Sequence, residues 1–455
     1  MDRIPASFRD PSGFLFRHQG RLLRQVNFAY REHYDLLMKS GLYDELAAAG
    51  LLISHRESPK DLAGISDAYR ILEPQQVTYV SYPYEWCFSQ LKDAALTTLA
   101  IQRRALERGM TLKDASAYNI QFHEGRPILI DTLSFERYGK GKPWVAYRQF
   151  CQHFLAPLAM MSWIDIRLSQ LLERFLDGIP LDLASGMLPR RSWVRPSLTL
   201  HIHLHARSIR RHADAPRARL RRKVSALGLE GLIDNLEVAV DRLDWRPEGT
   251  EWANYEKQHA YSEAARAEKE HIVLEHLREI SPVTVWDLGC NIGFFSGLAA
   301  RSGCHVLAVD GDPGVVEMQY RRLKTQEEHR ILPLWVDLAN PSPRLGWAHE
   351  ERDSLADRGP ADLILALALI HHLAFSTNAS LDMIAEFFSG LGRDLVIEFV
   401  PKSDPQVQRL LVSRVDIFRD YSEDVFERAF SRYFSILASQ QIGDSGRRIY
   451  RMARI

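Results

Sequence analysis

The chain has few cysteines, no long apolar run and no excess of charge of either sign. Its four cysteines, Cys87, Cys151, Cys290 and Cys304, are too scattered for a disulfide framework or a CxxC metal clamp. This favours a reduced, cytoplasmic setting. The N-terminus has no apolar signal-peptide core, and the apolar runs are too short to span a bilayer, so we expect no export signal and no membrane insertion.

Basic and acidic residues are balanced over the whole chain. Lys plus Arg and Asp plus Glu both total 58, so no global field attracts a polyanion, and we expect no nucleic-acid partner. At 455 residues the chain exceeds the size of one hydrophobic core. We therefore predict an α+β domain at 1–188, a basic linker or helical connection at 189–249 and an α/β domain at 250–455. The sequence does not indicate an oligomeric state.

The predicted connection is strongly basic between positions 189 and 223. One interpretation is that this stretch binds RNA phosphates or an anionic glycan. The sequence has no RNA-recognition motif with interleaved aromatics, which favours a solvated, charged helix between two domains. Asp214 is the acid of this stretch, and its basic residues are Arg190, Arg191, Arg195, Arg207, Arg210, Arg211, Arg217, Arg219, Arg221, Arg222 and Lys223.

The C-terminal region alternates short β-rich runs with helical patterns. Strands alternating with helices predict parallel βαβ units and a Rossmann-like, doubly wound sheet, in which ligands bind beyond the carboxyl ends of the strands. The candidate strands are Val283–Trp286, His305–Val309, Ile331–Val336, Ala361–Leu369 and Asp394–Phe399.

The first of these strands runs into Asp287-Leu288-Gly289-Cys290-Asn291-Ile292-Gly293. Gly289 and Gly293 let the backbone turn tightly, and the helix that follows directs free N–H groups at an anion. Asp310 ends the second strand, where a carboxylate can accept ribose hydroxyls. Asp337 ends the third, where a side chain can reach an adenine amino group. The G-x-G-x-x-G spacing of dinucleotide enzymes is absent.

This stretch resembles the D-x-G-x-x-x-G motif of class I methyltransferases that use S-adenosylmethionine (SAM), with a resemblance over 250–455. The resemblance implies that SAM is the cofactor and that the whole loop, including Cys290, contacts it. Asn291 stands where the family usually has glycine, and asparagine tolerates a left-handed backbone. An unrelated α/β domain with a glycine turn is the alternative.

Aromatic residues precede this motif. Trp252, Tyr255 and Tyr261, with Lys269, resemble the lid-like helix of related methyltransferases, including some nodulation-type enzymes. The resemblance implies that Tyr261 contacts the cofactor. A helix packing face explains the same aromatics equally well.

Three side chains are candidates for removing a proton from a methyl acceptor. His371 and His372 follow the fourth strand, and imidazoles titrate near neutrality. Glu398 ends the fifth strand. Structural histidines and a hydrogen-bonded carboxylate at the sheet end are the alternatives.

The acceptor itself is not readable. No N-P-P-Y type motif is present, which favours a hydroxyl, carboxyl or amine acceptor. The leading interpretation is a small-molecule or glycan hydroxyl. An RNA or protein acceptor and a non-catalytic SAM-binding scaffold remain open.

The N-terminal region contains a candidate phosphotransfer constellation. Two apolar runs flanking 123–125 predict a hairpin that brings Asp114, Asn119 and Asp131 together. This D-x4-N pattern with a later Asp is similar to the catalytic loop and metal-binding Asp of the protein-kinase-like and small-molecule phosphotransferase superfamily. The resemblance implies ATP and Mg²⁺, with Asp114 as base and Asn119 and Asp131 as ligands. The chain would then be a bifunctional kinase–methyltransferase.

That resemblance has clear departures. No Gly-rich loop precedes the hairpin, no His-Arg leads into Asp114, and Thr132-Leu133 follows Asp131. Arg24 would have to replace the phosphate-gripping lysine. A helical substrate-binding domain is the alternative.

His201, His203 and His205 alternate, and on a strand they would share one face with zinc-ligand spacing. No fourth ligand is evident, so we predict no metal there.

Overall fold

The computed structural model describes residues 2–59, 67–211, 223–247, 262–412 and 416–455. Its contacts divide the chain into two compact units. The first comprises Met1–Trp245 with Arg344–Arg352, and the second comprises Arg246–Pro343 with Asp353–Ile455. Where it is described, the predicted basic connection therefore belongs, up to Trp245, to the first unit.

In the described residues of the first unit, short strands form three antiparallel sheets. The strands are β1 (Asp2–Arg3), β2 (Gly13–His18), β3 (Arg21–Asn27), β4 (His55–Ser58), β5 (Ala68–Pro74), β6 (Met110–Leu112), β7 (Ile120–His123), β8 (Arg126–Leu129) and β9 (Phe135–Arg137). The largest sheet has the order β1-β2-β3-β5-β4, and β6 pairs β9. The predicted β7–β8 hairpin is confirmed. Its turn residues Glu124 and Gly125 have φ of 47° and 71°, the left-handed pair that tight hairpins need.

The first unit also contains helices. They are α1 (Arg31–Lys39), α2 (Leu42–Ala48), α3 (Phe88–Glu107), α4 (Tyr147–Phe150), α5 (Ala156–Trp163), α6 (Leu171–Arg174), α7 (Leu181–Met187), α8 (Pro196–Leu198), α9 (His205–Arg211) and α10 (Ala226–Asp241). Along α3, Leu91, Ala95 and Leu99 recur at every fourth position and are fully buried, which gives this helix its core-facing stripe.

The second unit is a doubly wound sheet. Its strands are β10 (Thr284–Leu288), β11 (His305–Asp310), β12 (Ile331–Trp335), β13 (Ala361–Ala366), β14 (Gly392–Phe399), β15 (Phe434–Gln441) and β16 (Arg448–Arg454). The order is β12-β11-β10-β13-β14-β16-β15, with β10 to β14 parallel and β16 antiparallel to both neighbours. The five parallel strands thus follow the Rossmann order 3-2-1-4-5, which confirms the predicted C-terminal fold.

The strand order reverses between β10 and β13. Ligands of doubly wound sheets bind in the crevice at such a reversal, outside the carboxyl ends of the strands. The loop after β10 carries the glycine motif, and the helix that follows β13 begins with the histidine pair. The helices of this unit are α11 (Glu263–Ile280), α12 (Phe294–Arg301), α13 (Pro313–Gln326), α14 (Ile370–Thr377), α15 (Leu381–Leu391), α16 (Pro405–Val412) and α17 (Glu423–Phe430).

The histidine triplet lies on a helix instead of a strand. Thr199–Leu204 form a π-helical stretch that continues into α9. Tyr147 and Asn235 hydrogen-bond to His201, whereas Ser185 and Ser192 hydrogen-bond to His203. The ring of Tyr147 contacts both His201 and His205, whereas the ring of Trp193 contacts His203, so the three imidazoles do not lie on one common face.

Within the described ranges, no helix is both long and apolar enough to cross a membrane. The four cysteines are buried and free.

Candidate functional site

The loop after β10 has an unusual backbone. Gly289, Asn291 and Gly293 have φ of 71°, 50° and 78°, so three of five residues are left-handed. A Cβ atom on Gly293 would lie 1.9 Å from Nε2 of Gln319, so the loop packs closely on α13. Glycine is needed at 293 for both reasons, whereas Asn291 adopts the left-handed region at modest cost.

Hydrogen bonds hold this loop against β11. The N–H groups of Gly289 and Cys290 donate to the carbonyl of Val309 at 2.8 and 3.0 Å. The N–H of Asn291 donates to the carboxylate of Asp310 at 2.8 Å. Cys290 is buried, and burial raises the pKa of its thiol well above the ordinary range, so the thiol stays neutral. The loop is thereby pre-shaped, with α12 beginning directly after it.

Two carboxyl groups of the site have raised pKa values. Burial raises the pKa of Asp287, at the end of β10, to about 6, although the hydroxyl of Ser296 donates to it at 2.6 Å. Burial also raises the pKa of Asp310 to about 6, opposed by the N–H groups of Asp312 and Asn291. Desolvation thus dominates at both carboxyls, as is common at ligand sites.

Asp337 follows β12, the neighbour of β11. It is exposed, and its carboxylate accepts the N–H of Ala339 at 2.8 Å. The N–H of Val336 donates to the carbonyl of Asp310 at 2.9 Å, so the ends of these two strands lie side by side. Tyr261, with Trp252 and Tyr255, lies outside the described residues.

Sequence reasoning missed two side chains of α13 that meet the loop. Nη2 of Arg322 donates to the carbonyl of Ile292 at 2.5 Å. Gln319 is 1% exposed, and its Nε2 has no hydrogen-bond partner among the described residues. An unsatisfied buried donor costs about 1–3 kcal/mol, so this atom is an unusual feature of the packing between the loop and α13. Nothing in the local helix sequence marks either residue.

The histidine pair lies at the start of α14. His371 is fully buried, and neither ring nitrogen has a partner among the described residues. Burial, followed by the charges of His372, Arg447 and Lys269, lowers the pKa of His371 well below its ordinary value. Burial lowers the pKa of His372 to about 4. Both imidazoles are therefore neutral at physiological pH and retain a nitrogen able to accept a proton.

The backbone just before the pair is also left-handed. Ala368 has φ of 53°, a conformation that costs a non-glycine residue of order 1–3 kcal/mol. Strain of this kind is concentrated at functional sites, where the surrounding structure enforces it.

Glu398 is the centre of a buried ion cluster. Nζ of Lys269 donates to one of its oxygens at 2.5 Å, and Nη1 of Arg447 to the other at 3.1 Å. Arg447 also forms two hydrogen bonds with Asp404, at 2.7 and 3.1 Å. Glu398 and Arg447 are both fully buried. This geometry favours the alternative left open above, a hydrogen-bonded carboxylate at the sheet end, because both oxygens are already paired.

The three residues of the predicted phosphotransfer constellation lie around Ser134. Asn119 donates to the hydroxyl of Ser134 at 3.3 Å, and that hydroxyl donates to Asp131 at 2.5 Å. Asp114 lies near both: it is hydrogen-bonded to Asn119, while burial, then the charge of Asp131, raises its pKa.

The guanidinium group of Arg24 occupies the space beside Asp131. Nη2 of Arg24, on β3, contacts Asp131 at 2.7 Å and Asp10 at 3.1 Å. Across the parts of the chain that the structure describes, no three His, Cys, Asp or Glu side chains are grouped to hold a metal ion.

Comparison with solved structures gives weak likenesses. The magnesium protoporphyrin IX methyltransferase of Synechocystis PCC 6803 with bound SAM covers 46% of this chain and 92% of its own, at 17% identity and a TM-score of 0.33. The bifunctional kinase–methyltransferase WbdD covers 44% of this chain and 41% of its own, at 16% identity and a TM-score of 0.31. Likenesses at this level carry no argument about activity.

Comparison of sequences is more decisive. No family model matches the chain. The nodulation protein NoeA of Rhizobium meliloti (strain 1021) is 34% identical over 466 residues, which cover 99% of this chain and 96% of that protein. Identity at this level over the full length of both proteins shows common descent, and the chain belongs to the family of nodulation protein NoeA.

Proposed function

We propose that the second unit binds SAM and transfers its methyl group to a hydroxyl of a small molecule or glycan. The observation that carries this proposal is the loop after β10. Its left-handed residues and its bond to Asp310 form a pre-shaped turn at the reversal of strand order, where ligands of this sheet type bind.

The chain's own residues fit the cofactor. The turn and the first N–H groups of α12 would hold the methionine carboxylate, with Nε2 of Gln319 as a further donor. Asp310 would accept the ribose hydroxyls, and Asp337 would reach the adenine amino group. SAM supplies an electrophilic methyl group, so catalysis consists largely of alignment and removal of the acceptor proton.

We assign proton removal to His371, with His372 as its neighbour. His371 is buried and neutral, and its ring nitrogens have no partner in the described ranges, so one nitrogen would accept the proton of an acceptor hydroxyl that reaches it. We assign Glu398 a positioning role, because Lys269 and Arg447 pair both of its oxygens.

Calorimetric titration with S-adenosylhomocysteine tests the cofactor. Micromolar binding by the wild type and its loss in the Asp287→Ala/Asp310→Ala double variant would support the proposal. Asp382→Ala, at an exposed ion pair with Arg432, is the matched control and should bind normally. No binding by the folded wild type would favour the scaffold alternative.

A second candidate activity, nucleotide binding by the first unit, rests on the convergence of Asp114, Asn119 and Asp131. In that case Arg24 would bind phosphate instead of Asp131, and Asp131 would coordinate Mg²⁺. Calorimetry with ATP and Mg²⁺ tests it. Binding heat in the wild type that disappears in Arg24→Ala would support nucleotide binding. No binding heat at millimolar ATP would exclude it and favour a domain that recognises the substrate.

A further inference from the structure

One face of the first unit combines arginines with exposed aliphatic side chains. Between Asp182 and Asp214 the sequence has no acidic residue. The described part of this stretch carries six arginines, and none of them pairs with an acidic side chain of the described residues. We call this surface the arginine–aliphatic face; its basic members are Arg190, Arg191, Arg195, Arg207, Arg210 and Arg211.

The apolar members of this face are strongly exposed. Val194 is 78% exposed, Leu200 49% and Leu204 45%, and Ile164 and Met187 are 44% and 41% exposed. Single exposed aliphatic residues need no explanation, but a group of them among arginines marks an interaction surface.

Three of the arginines contact tryptophans that neighbour exposed aliphatic residues in the chain. The guanidinium groups of Arg191 and Arg195 lie 5.4 and 5.9 Å from the ring of Trp163, which directly precedes Ile164. Arg207 lies 4.5 Å from the ring of Trp193, which directly precedes Val194. Three arginines of this face therefore lie close to the chain segments that carry Ile164 and Val194.

A buried histidine fixes this surface from beneath. His203 hydrogen-bonds to Ser185 and Ser192 at 2.8 Å each, and it stacks on Trp193 with ring centroids 4.1 Å apart. It thereby joins α7, which ends at Met187, to the turn that carries Val194. Burial lowers the pKa of His203, so this brace is neutral.

We propose that the arginine–aliphatic face docks on the surface of a bilayer that contains anionic lipids. Arginines attract anionic headgroups, aliphatic side chains enter the acyl boundary, and tryptophan suits the interfacial layer. This is peripheral binding, not insertion of a spanning helix.

Charge and chemistry favour this partner over two others. In a symmetric dimer built on this face the same arginines would meet their copies, and like charges would repel. Single-stranded RNA needs open aromatic rings for base stacking, whereas guanidinium groups lie over both indoles here.

Sedimentation of the full chain with vesicles tests the proposal. Vesicles of phosphatidylcholine and phosphatidylglycerol in equal amounts should bind the protein, and vesicles of phosphatidylcholine alone should not. Arg191→Glu/Arg195→Glu should lower the partition coefficient on the order of tenfold or more, because each basic residue near an anionic surface contributes measurably. Arg17→Glu/Arg126→Glu, at exposed strand positions of the same unit, is the matched charge control and should bind like the wild type.

A second pair of variants separates lipid from other polyanions. Leu200→Ser/Leu204→Ser keeps every charge, so lost vesicle binding would show that aliphatic side chains enter the bilayer. The proposal would be overturned if either Leu200→Ser/Leu204→Ser or Arg191→Glu/Arg195→Glu still bound the vesicles. Unchanged circular dichroism would show that these variants are folded. Equal loss in the control pair, tighter binding to a single-stranded oligonucleotide, or a wild-type dimer that Leu200→Ser/Leu204→Ser makes monomeric would also overturn the proposal.

Discussion

The backbone N–H of Asn291 donates to the carboxylate of Asp310 at 2.8 Å, and so joins the loop after β10 to the end of β11. The other carboxylate oxygen accepts the N–H of Asp312 at 2.9 Å. Asp310 therefore shapes the proposed cofactor loop and belongs to it.

Binding of S-adenosylhomocysteine should weaken at low pH. Burial raises the pKa of Asp310 to about 6, so the carboxylate is ionised at pH 7.5 and mostly protonated at pH 5. Affinity measured by calorimetry should fall roughly tenfold between these values. Asp310→Asn should bind weakly with little pH dependence below neutrality, and a wild-type affinity that does not change from pH 7.5 to pH 5 would contradict the assignment.

Asp287→Asn should stabilise the ligand-free protein near neutral pH. The folded pKa of about 6 exceeds the ordinary 3.8, so the contribution of this group to stability is complete below about pH 4 and is lost as pH rises through 6. An uncharged amide avoids that loss, which is worth about 1–3 kcal/mol. Urea unfolding at pH 7.5 should show the gain and unfolding near pH 4 should not; a destabilised variant at pH 7.5 would refute the prediction.

Two substitutions in the glycine loop should have opposite outcomes. Gly293→Ala places a Cβ 1.9 Å from Nε2 of Gln319 at a φ of 78°, so cofactor affinity should fall at least tenfold. Asn291→Gly relieves a non-glycine residue at φ of 50° and should leave affinity nearly unchanged. Calorimetry on both variants checks this, and a Gly293→Ala variant that binds normally would show that the loop tolerates movement.

His371→Ala should impair transfer without impairing cofactor binding. Losing a general base lowers turnover by about 10²–10⁴-fold. The measurement is transfer of a tritiated methyl group from SAM into a pool of candidate acceptors, with calorimetry to confirm an unchanged affinity for S-adenosylhomocysteine. His371→Ala/His372→Ala that still turns over at saturating SAM would eliminate both bases.

Glu398→Gln should destabilise the second unit strongly. The variant leaves Lys269 and Arg447 with an uncharged amide in a fully buried site, and removing one partner of a buried pair costs about 3–5 kcal/mol. Arg432→Ala, which breaks an exposed pair with Asp382, should cost less than about 1 kcal/mol. Urea unfolding compares the two, and similar midpoints would show that the cluster contributes little.

Local patterns predicted the elements of the second unit well. Alternating β-rich and helical segments predicted its parallel strands, because strand and helix periodicities are properties of short segments. The same reasoning placed the glycine loop, Asp310 and Asp337 at strand ends. The strand considered for His201–His205 is a helical stretch in the structure, where Tyr147 contacts His201 and His205 and two serines hydrogen-bond to His203.

The sequence by itself determined the positions of the glycine loop and of the carboxylates at the strand ends, because these residues are recognised by their spacing along the chain. The tertiary structure alone decided the partners of Glu398, which come from α11 and from the turn before β16, 129 and 49 positions away. It also decided that Gln319 meets the loop. Such contacts depend on strand order and helix packing, and a buried charge leaves no local pattern that identifies its partner.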